Sequence, residues 1–160
     1  MQEIKMINWN DKAYVLEAVK NDGYTLEYAS KRLKDDEDIV LAAVRNTGYA
    51  LKFASPRLQD NEEIVFKAIQ NSGVALHYAS KRLRDDREVV LTAIKKNGWA
   101  VGFASPRLRD DKEVILIAVK QYGWTVELAS KRLQDDEEVI REAVKSGYIF
   151  AGVYQQRKES

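Results

Sequence analysis

The feature that constrains this chain most is an internal period of 25 residues, which recurs along almost its whole length. Glycine marks one position of the period at Gly23, Gly48, Gly73, Gly98 and Gly123. An Arg-Leu pair follows each glycine at a fixed distance and begins at Arg32, Arg57, Arg82, Arg107 and Arg132. Six units therefore start at Asp11, Asp36, Asn61, Asp86, Asp111 and Asp136. A period of this length predicts a stack of small repeated units.

Each unit opens with a stretch that is typical of an amphipathic helix. In the second unit its buried face consists of Ile39, Val40, Ala43 and Val44. An aspartate precedes the stretch and an acidic residue follows three positions later, which is the spacing of a capping box. The predicted N-caps are Asp35, Asp60, Asp85, Asp110 and Asp135. Gly48 falls where a left-handed residue would end the helix.

The second element of each unit is shorter. In the second unit Leu51, Ala54 and Leu58 recur at helical spacing, and Tyr49 and Phe53 are spaced as an i, i+4 aromatic pair.

A Ser-Pro pair limits this second element in two of the units, at positions 55–56 and 105–106. The residue before proline avoids the helical region, so the helix has to end there. Serine followed by proline also resembles an N-cap and the first helical residue, which indicates the start of a third helical turn. Other units carry lysine in place of the proline, at Lys31, Lys81 and Lys131. This alternation adds a weak period of 50 residues.

A unit of this size cannot bury its apolar face alone, so neighbouring units must stack. The sequence therefore predicts an all-α fold, an α-solenoid of six 25-residue helix-turn-helix repeats. We expect an N-terminal cover at 1–10, the repeats at 11–147, and a capping helix and tail at 148–160 that complete the sixth unit. The expected cover residues are Ile4, Met6, Ile7 and Trp9.

The units resemble a known family of short helical repeats, domain-of-unknown-function family 4116. Its units read roughly D-x-E-V-V-L-x-A-V-x-x-x-G-x-A-L-x-Y-A-S-x-x-L-x-x-D. The closest segments are DDREVVLTAIKKNGWAVGFASPRLRD at 85–110 and NEEIVFKAIQNSGVALHYASKRLRD at 61–85. The resemblance extends from about Asp11 to Gly147 and implies helical repeats in tandem, but no activity or ligand. The chain departs from it at Pro56 and Pro106, and by lacking Ala-Ser-x-Arg-Leu after Gly147.

Composition excludes several classes of function. Lys and Arg number 26 against 25 Asp and Glu, so the chain lacks the basic excess that is typical of nucleic-acid binding. Without cysteine there are no disulfides, thiol nucleophiles or thiolate metal sites. The amino terminus carries charges where a secretory signal needs an apolar run, and no apolar stretch approaches a membrane span. We expect a soluble cytoplasmic protein, with export by a route without a cleaved signal left open.

Five arginines, here called the arginine ladder, are the first candidate binding residues: Arg32, Arg57, Arg82, Arg107 and Arg132. In one interpretation each arginine bonds helix-end carbonyls or the nearby aspartates, because its planar fork satisfies several acceptors. In the other, a row of cations faces an extended acidic partner. The balanced charge and the aspartate beside each arginine favour the first interpretation.

The residues that follow the glycines are candidate aromatic contacts: Tyr24, Tyr49, Trp99 and Trp124. Aromatic rows can stack nucleic-acid bases, but Val74 interrupts this row, and packing between units is favoured. His77 has no counterpart in other units and is expected to face solvent.

No residue pattern predicts catalysis. The paired acids lack the spacing of a calcium loop, and the repeated serines have no histidine partner. We therefore expect no enzymatic activity, no metal and no cofactor.

The architecture favours a scaffold for interaction with a protein partner that the sequence does not identify. One alternative is binding of nucleic acid or another polyanion along the arginine ladder. Another is a structural fragment of a longer repeat array without independent activity. Self-association is a further possibility through the apolar residues Ile149, Phe150, Val153 and Tyr154.

Overall fold

The computed structural model describes residues 7–149, and within this range the regular structure is entirely helical. The predicted all-α repeat fold is confirmed. Each complete unit contains a long α-helix, a 3₁₀-helix and a short α-helix. The long helices are Lys12–Asn21, Glu37–Asn46, Glu62–Asn71, Arg87–Lys96, Lys112–Gln121 and Glu137–Lys145. The 3₁₀-helices are Gly23–Tyr28, Gly48–Phe53, Gly73–Tyr78, Gly98–Phe103 and Gly123–Leu128. The short helices are Lys31–Lys34, Pro56–Gln59, Lys81–Arg84, Pro106–Arg109 and Lys131–Gln134.

The unit therefore has three parts, where the sequence predicted a helix-turn-helix pair. The second element is a 3₁₀-helix because only five residues lie between the glycine and an extended Ala-Ser pair. Pro56 follows Ser55 and begins the short helix, as the Ser-Pro pair predicted. Units without proline adopt the same backbone, and their serine N–H bonds a carbonyl of the preceding unit. Ser80 N, for example, donates to Gln59 O at 2.9 Å.

The long helices begin one residue later than predicted. Asp36 accepts a hydrogen bond from Ile39 N at 3.3 Å, and Asn61 accepts one from Ile64 N at 3.1 Å. The predicted N-caps Asp35, Asp60, Asp85, Asp110 and Asp135 are wrong, since these residues are the C-caps of the short helices. Two adjacent polar residues fit the capping pattern, but only the second has the extended backbone that an N-cap needs.

The repeated glycines do not adopt the predicted left-handed conformation. The only described residue with positive φ is Gly147, at 82°. A Cβ atom on Gly73 would instead lie 2.5 Å from Ala93 O, in the long helix of the next unit. Glycine is required because the backbones of two neighbouring units meet there, closer than any side chain allows.

The sixth long helix ends differently from the others. Tyr148 N donates to Ala143 O and Gly147 N donates to Val144 O, both at 3.0 Å, which is a Schellman motif. Tyr148 and Ile149 are not helical, so the predicted capping helix does not begin at residue 148. Ile149 is 77% exposed, as a self-association surface would require. The other three residues of that prediction, Phe150, Val153 and Tyr154, lie outside the described residues.

The core is one continuous apolar interior that runs through all the units. Each long helix packs against the long helix of the next unit, and neighbouring 3₁₀-helices pack in the same way. Every short helix contributes one fully buried leucine: Leu33, Leu58, Leu83, Leu108 and Leu133. Burying one such side chain stabilises the fold by about 1.5–3 kcal/mol relative to exposure. A unit therefore gains most of its stability from its neighbours.

Trp9 covers the first unit. Its ring centroid lies 5.3 Å from those of both Tyr14 and Tyr28, and Trp9 O accepts a hydrogen bond from Ser30 N. Ile7, predicted to share this role, is 68% exposed. The predicted cover residues Ile4 and Met6 lie outside the described residues.

None of the helices in the described part of the chain combines the length and the apolar character that a bilayer crossing requires.

Replacing one interface glycine tests the close approach between units. We expect Gly73→Ala to lower the free energy of unfolding by about 1–3 kcal/mol, because the added Cβ overpacks a backbone contact. Gly102→Ala is the matched control, since its Cβ would meet only the two methyl groups of the Leu128 side chain, at 3.3 and 3.8 Å, and no backbone atom. The free energy of unfolding of both variants is measured by urea titration, with circular dichroism as the readout. Equal effects of the two substitutions would contradict this account of the interface.

Candidate functional site

The arginine ladder lies in the contacts between units. Arg57 Nε donates to Asp35 Oδ1 at 3.0 Å, and Arg57 Nη2 donates to Asp35 O at 2.8 Å. Arg57 Nη1 also pairs with Glu37 at 2.8 Å. Arg82 makes the same three contacts with Asp60 and Glu62. Each guanidinium therefore binds the end of the preceding short helix, which is the arrangement that the structural interpretation predicts.

Arg107 and Arg132 keep the contacts to the aspartate alone. Arg107 Nε lies 3.0 Å from Asp85 Oδ1, and Arg132 Nε lies 3.1 Å from Asp110 Oδ1. The side chain of Arg107 remains 64% exposed. Arg57, Arg82, Arg107 and Arg132 each have a carboxylate partner, so these four members of the ladder form a row of ion pairs.

A serine completes this contact, which we call the Ser-Arg clamp. Ser55 Oγ donates to the Asp35 carboxylate and also accepts a hydrogen bond from Leu58 N, at 3.3 Å. The equivalent serines Ser80, Ser105 and Ser130 bind Asp60, Asp85 and Asp110 in the same way. The hydrogen bond from Ser55, together with that from Arg57, lowers the pKa of Asp35. Four of the five aspartates that the sequence assigned to caps therefore hold neighbouring units together.

The first unit lacks the aspartate of the clamp. Asn10 occupies its position, and Arg32 Nη2 donates to Asn10 O at 2.8 Å. Ser30 Oγ is buried and has no hydrogen-bond partner. The clamp therefore depends on the carboxylate, since the serine loses its acceptor where asparagine replaces aspartate.

A second side-chain contact between units, which we call the amide clip, was not predicted from the sequence. Asn46 Oδ1 accepts a hydrogen bond from Gly23 N, and Asn46 Nδ2 donates to Lys20 O, both at 2.9 Å. Asn71 makes the same bonds to Gly48 N and Arg45 O. The side chain thereby satisfies backbone groups that the end of the preceding long helix leaves unpaired.

A sequence signal for the amide clip does exist. Asn21, Asn46 and Asn71 recur two residues before the glycine in three successive units. Gln121 extends the series, because its Oε1 accepts from Gly98 N at 2.9 Å.

The position after each N-cap changes charge between units, and its pairing changes with it. Where this residue is basic, it forms ion pairs with acidic residues of the next unit, as Lys112 does with Asp136 at 3.0 Å and with Glu138 at 2.9 Å. Where it is acidic, at Glu37 and Glu62, it pairs with a ladder arginine of the next unit. The surface along the long helices is therefore charged but balanced.

The predicted aromatic contacts are partly exposed. Tyr24 is 49% exposed, Trp99 46% and Trp124 40%, while Tyr49 is half-buried. Rings that expose this much surface are available to a partner. Aromatic side chains are mostly buried in proteins, so this exposure marks them as candidates for binding.

Five of the exposed and half-buried rings form a continuous chain of contacts across the second, third and fourth units. We call this chain the aromatic strip: Tyr49, Tyr78, His77, Phe103 and Trp99 in order of contact. The ring centroids along it are 6.1, 4.8, 4.6 and 5.9 Å apart. His77 is exposed, as predicted, and it joins the rings of two units.

The aromatic strip differs from the row that the sequence predicted. Tyr49 and Trp99 belong to it, whereas Tyr24 and Trp124 are exposed outside it. Tyr49 packs on Tyr78 of the next unit. The strip depends on contacts between positions that are not equivalent in the repeat, so the period alone does not predict it.

The repeated elements, stacked in sequence order, define a tandem helical repeat protein. The family profile described as Domain of unknown function (DUF4116) matches three times in tandem, at residues 11–59, 61–109 and 111–151. The chain belongs to this family. Each match covers about two units, in agreement with the weak 50-residue period of the sequence. Comparison with curated proteins and with solved structures finds no match.

No group of three His, Asp or Glu side chains that could hold a metal ion occurs within residues 7–149.

The Ser-Arg clamp makes stability depend on pH. The pKa values of Asp35, Asp60, Asp85 and Asp110 are lowered in the folded chain. Their stabilising effect is therefore complete above the unfolded-state pKa of about 4, and it is lost as the pH falls through the lower folded-state pKa. We expect a variant with these four aspartates changed to asparagine to be less stable than wild type near pH 7. The difference should largely vanish near pH 2.

Urea unfolding midpoints across this pH range provide the measurement. The charge-matched control changes four exposed glutamates to glutamine: Glu17, Glu27, Glu63 and Glu88. A control variant with the same loss of stability and the same pH profile would show that the clamp has no special role.

Proposed function

We propose that this protein is a non-enzymatic scaffold that binds a protein partner through the aromatic strip. The observation that carries the proposal is the continuity of partly exposed rings over three units. Aromatic residues are enriched among the side chains that dominate binding energy at protein interfaces. Rings already fixed by contact with one another lose little conformational freedom on binding, which favours affinity.

The distribution of polar groups supports a scaffold over an enzyme. Catalysis needs a nucleophile, acid or base held within hydrogen-bonding distance of a partner group. Here four of the repeated serines and their aspartate partners are engaged in the Ser-Arg clamp, as Ser55 and Asp35 show. His77, the single histidine, contacts the rings of Tyr78 and Phe103. Side chains in contacts of this kind form part of a surface that a partner can recognise by its shape.

The ion pairs of the arginine ladder favour a protein as the binding partner over a polyanion. Polyanion binding gains free energy by releasing counterions from phosphates as unpaired cations neutralise them. Arg57 and Arg82 each already pair with two carboxylates. A polyanion would have to displace those carboxylates and would be repelled by them.

A titration at low ionic strength separates the two functions. We expect no measurable binding of fluorescent duplex DNA by anisotropy, because the ladder offers no unpaired row of charge. Tight binding that weakens steeply with added salt would support the polyanion alternative instead.

Substitution in the aromatic strip tests the scaffold. We expect the double variant His77→Ala, Trp99→Ala to lose captured partners and to weaken a purified partner's Kd by at least about tenfold, as at interface hot spots. Captured proteins are identified by mass spectrometry after cross-linking to the full chain, and their affinities are then measured by calorimetry.

The matched control is Tyr24→Ala, which removes an aromatic side chain of similar exposure, 49% against 46% for Trp99, from outside the strip. Partners should remain bound to this variant. Loss of partners from both variants, or from neither, would contradict the assignment of binding to the strip.

A further inference from the structure

An open groove lies beside the aromatic strip, between the short helix of the third unit and the fourth unit. It has a volume of about 370 Å³. This volume is at the lower end of the range of about 300–1,000 Å³ that small-molecule sites occupy. Phe103 belongs to both the groove and the strip.

The walls of the groove carry three cations, Lys81, Arg84 and Arg109. No carboxylate is among the residues that line it in the described part of the chain. Asp85, which follows Arg84, accepts hydrogen bonds from Ser105 and Arg107, so its charge is already paired. The groove is thus a local concentration of positive charge on a chain whose formal net charge is +1.

Two of these cations present unused hydrogen-bond donors. The Nε atoms of Arg84 and Arg109 are buried and have no hydrogen-bond partner. An unpaired buried donor is costly, and the cost rises when the group is charged. Because both Nε atoms are buried, an anion in the groove can reach them only when the guanidinium groups turn toward it. Its oxygen atoms would then satisfy both donors and offset that cost.

The corresponding residues of the neighbouring units have no such groups. Gln59 and Gln134 occupy the position of Arg84 and Arg109, and their amides bond carbonyls of their own units. Gln59 Nε2, for example, donates to Leu51 O at 3.1 Å. Among the described short helices, arginine stands at this position only in the third and fourth units. The local sequence therefore departs from the repeat where the groove lies.

A glycine opens the groove on its other side. Gly102 lines it, at a position where other units carry side chains such as Lys52, His77 and Glu127. Its backbone has no positive φ, so glycine is not needed there for conformation. Gly102 therefore adds no side chain to the lining of the groove.

We propose that this groove binds a phosphate monoester group. Such a group carries a charge of about −1.5 to −2 near neutral pH and has three acceptor oxygens. This matches the cluster of three cations better than a single carboxylate does, because the arginine fork can bind two phosphate oxygens at once. Phe103, Ala104 and Pro106 give the groove an apolar wall against which the organic part of the ester packs.

The ester has two possible sources with the same chemistry, a small phosphorylated molecule or a phosphorylated side chain of a peptide. The groove is open on one side and adjoins the aromatic strip, so either source can enter. The test has one arm for each of them.

Calorimetry and NMR on the full chain test the proposal. Free O-phosphoserine and a short peptide containing phosphoserine are the probes, with serine and the unphosphorylated peptide as blanks. We expect the phosphorylated probes to bind and to shift the side-chain Nε–H resonances of Arg84 and Arg109. Tighter binding of the peptide, by about tenfold or more, identifies a peptide source, and equal affinities identify a small ester.

Arg84→Gln and Arg109→Gln should each weaken binding by about tenfold, as expected on loss of a charge-assisted hydrogen bond. Both variants should fold, because glutamine is the native residue at the equivalent positions 59 and 134. The control Lys20→Gln, Lys95→Gln removes as much charge as the two arginine substitutions combined, from exposed long-helix positions.

Unchanged Nε–H resonances, or equal losses of affinity in the arginine variants and in the lysine control, would overturn the proposal. The measurement needs no protein partner, so its outcome is independent of the scaffold function.

Discussion

The distance between neighbouring units is set by a contact between two backbones. The glycine that begins a 3₁₀-helix lies against a carbonyl in the long helix of the next unit, as Gly23 does against Ala43 O. A Cβ atom at Gly23 would come within 2.5 Å of that oxygen. Ala43, which supplies the oxygen, is itself fully buried. Because both residues are small, the long helices and 3₁₀-helices of two units can pack into one interior without a gap.

The side-chain fastenings follow from that separation. The amide clip spans the junction between the ends of two long helices, where Asn46 bridges Gly23 N and Lys20 O. The Ser-Arg clamp works near the start of the long helix, where Arg57 reaches Asp35. Both contacts are present where the first unit meets the second, the second meets the third and the fourth meets the fifth. These interfaces are therefore held at two separated places as well as by their cores, which restricts rotation of one unit against the next. Between the third and fourth units the clamp is present without the clip, and contact between rings of the aromatic strip joins the two units as well.

The period and the binary pattern were enough to predict the all-α repeat fold and the existence of each long helix. The N-caps were misplaced because Asp35 and Asp36 both satisfy the capping pattern, and only the backbone of the preceding short helix distinguishes them. The role of Gly48 was also mistaken, since a glycine after a helix usually marks a left-handed residue and here permits a close approach. The aromatic strip could not be predicted, because it joins Tyr49 to Tyr78 and His77 to Phe103 across units.

Residues that follow the repeat maintain this fold, whereas residues that depart from it are available for binding. Residues that keep the period, such as Gly73 and Arg82, make contacts that recur between neighbouring units. Residues that break it are not needed by the stack, because other units fold without them. His77, Gly102 and the two groove arginines break the period within the third and fourth units, and they surround one half-buried ring, Phe103. The two binding sites that we propose therefore lie at positions where the stacking of the units does not require a particular side chain.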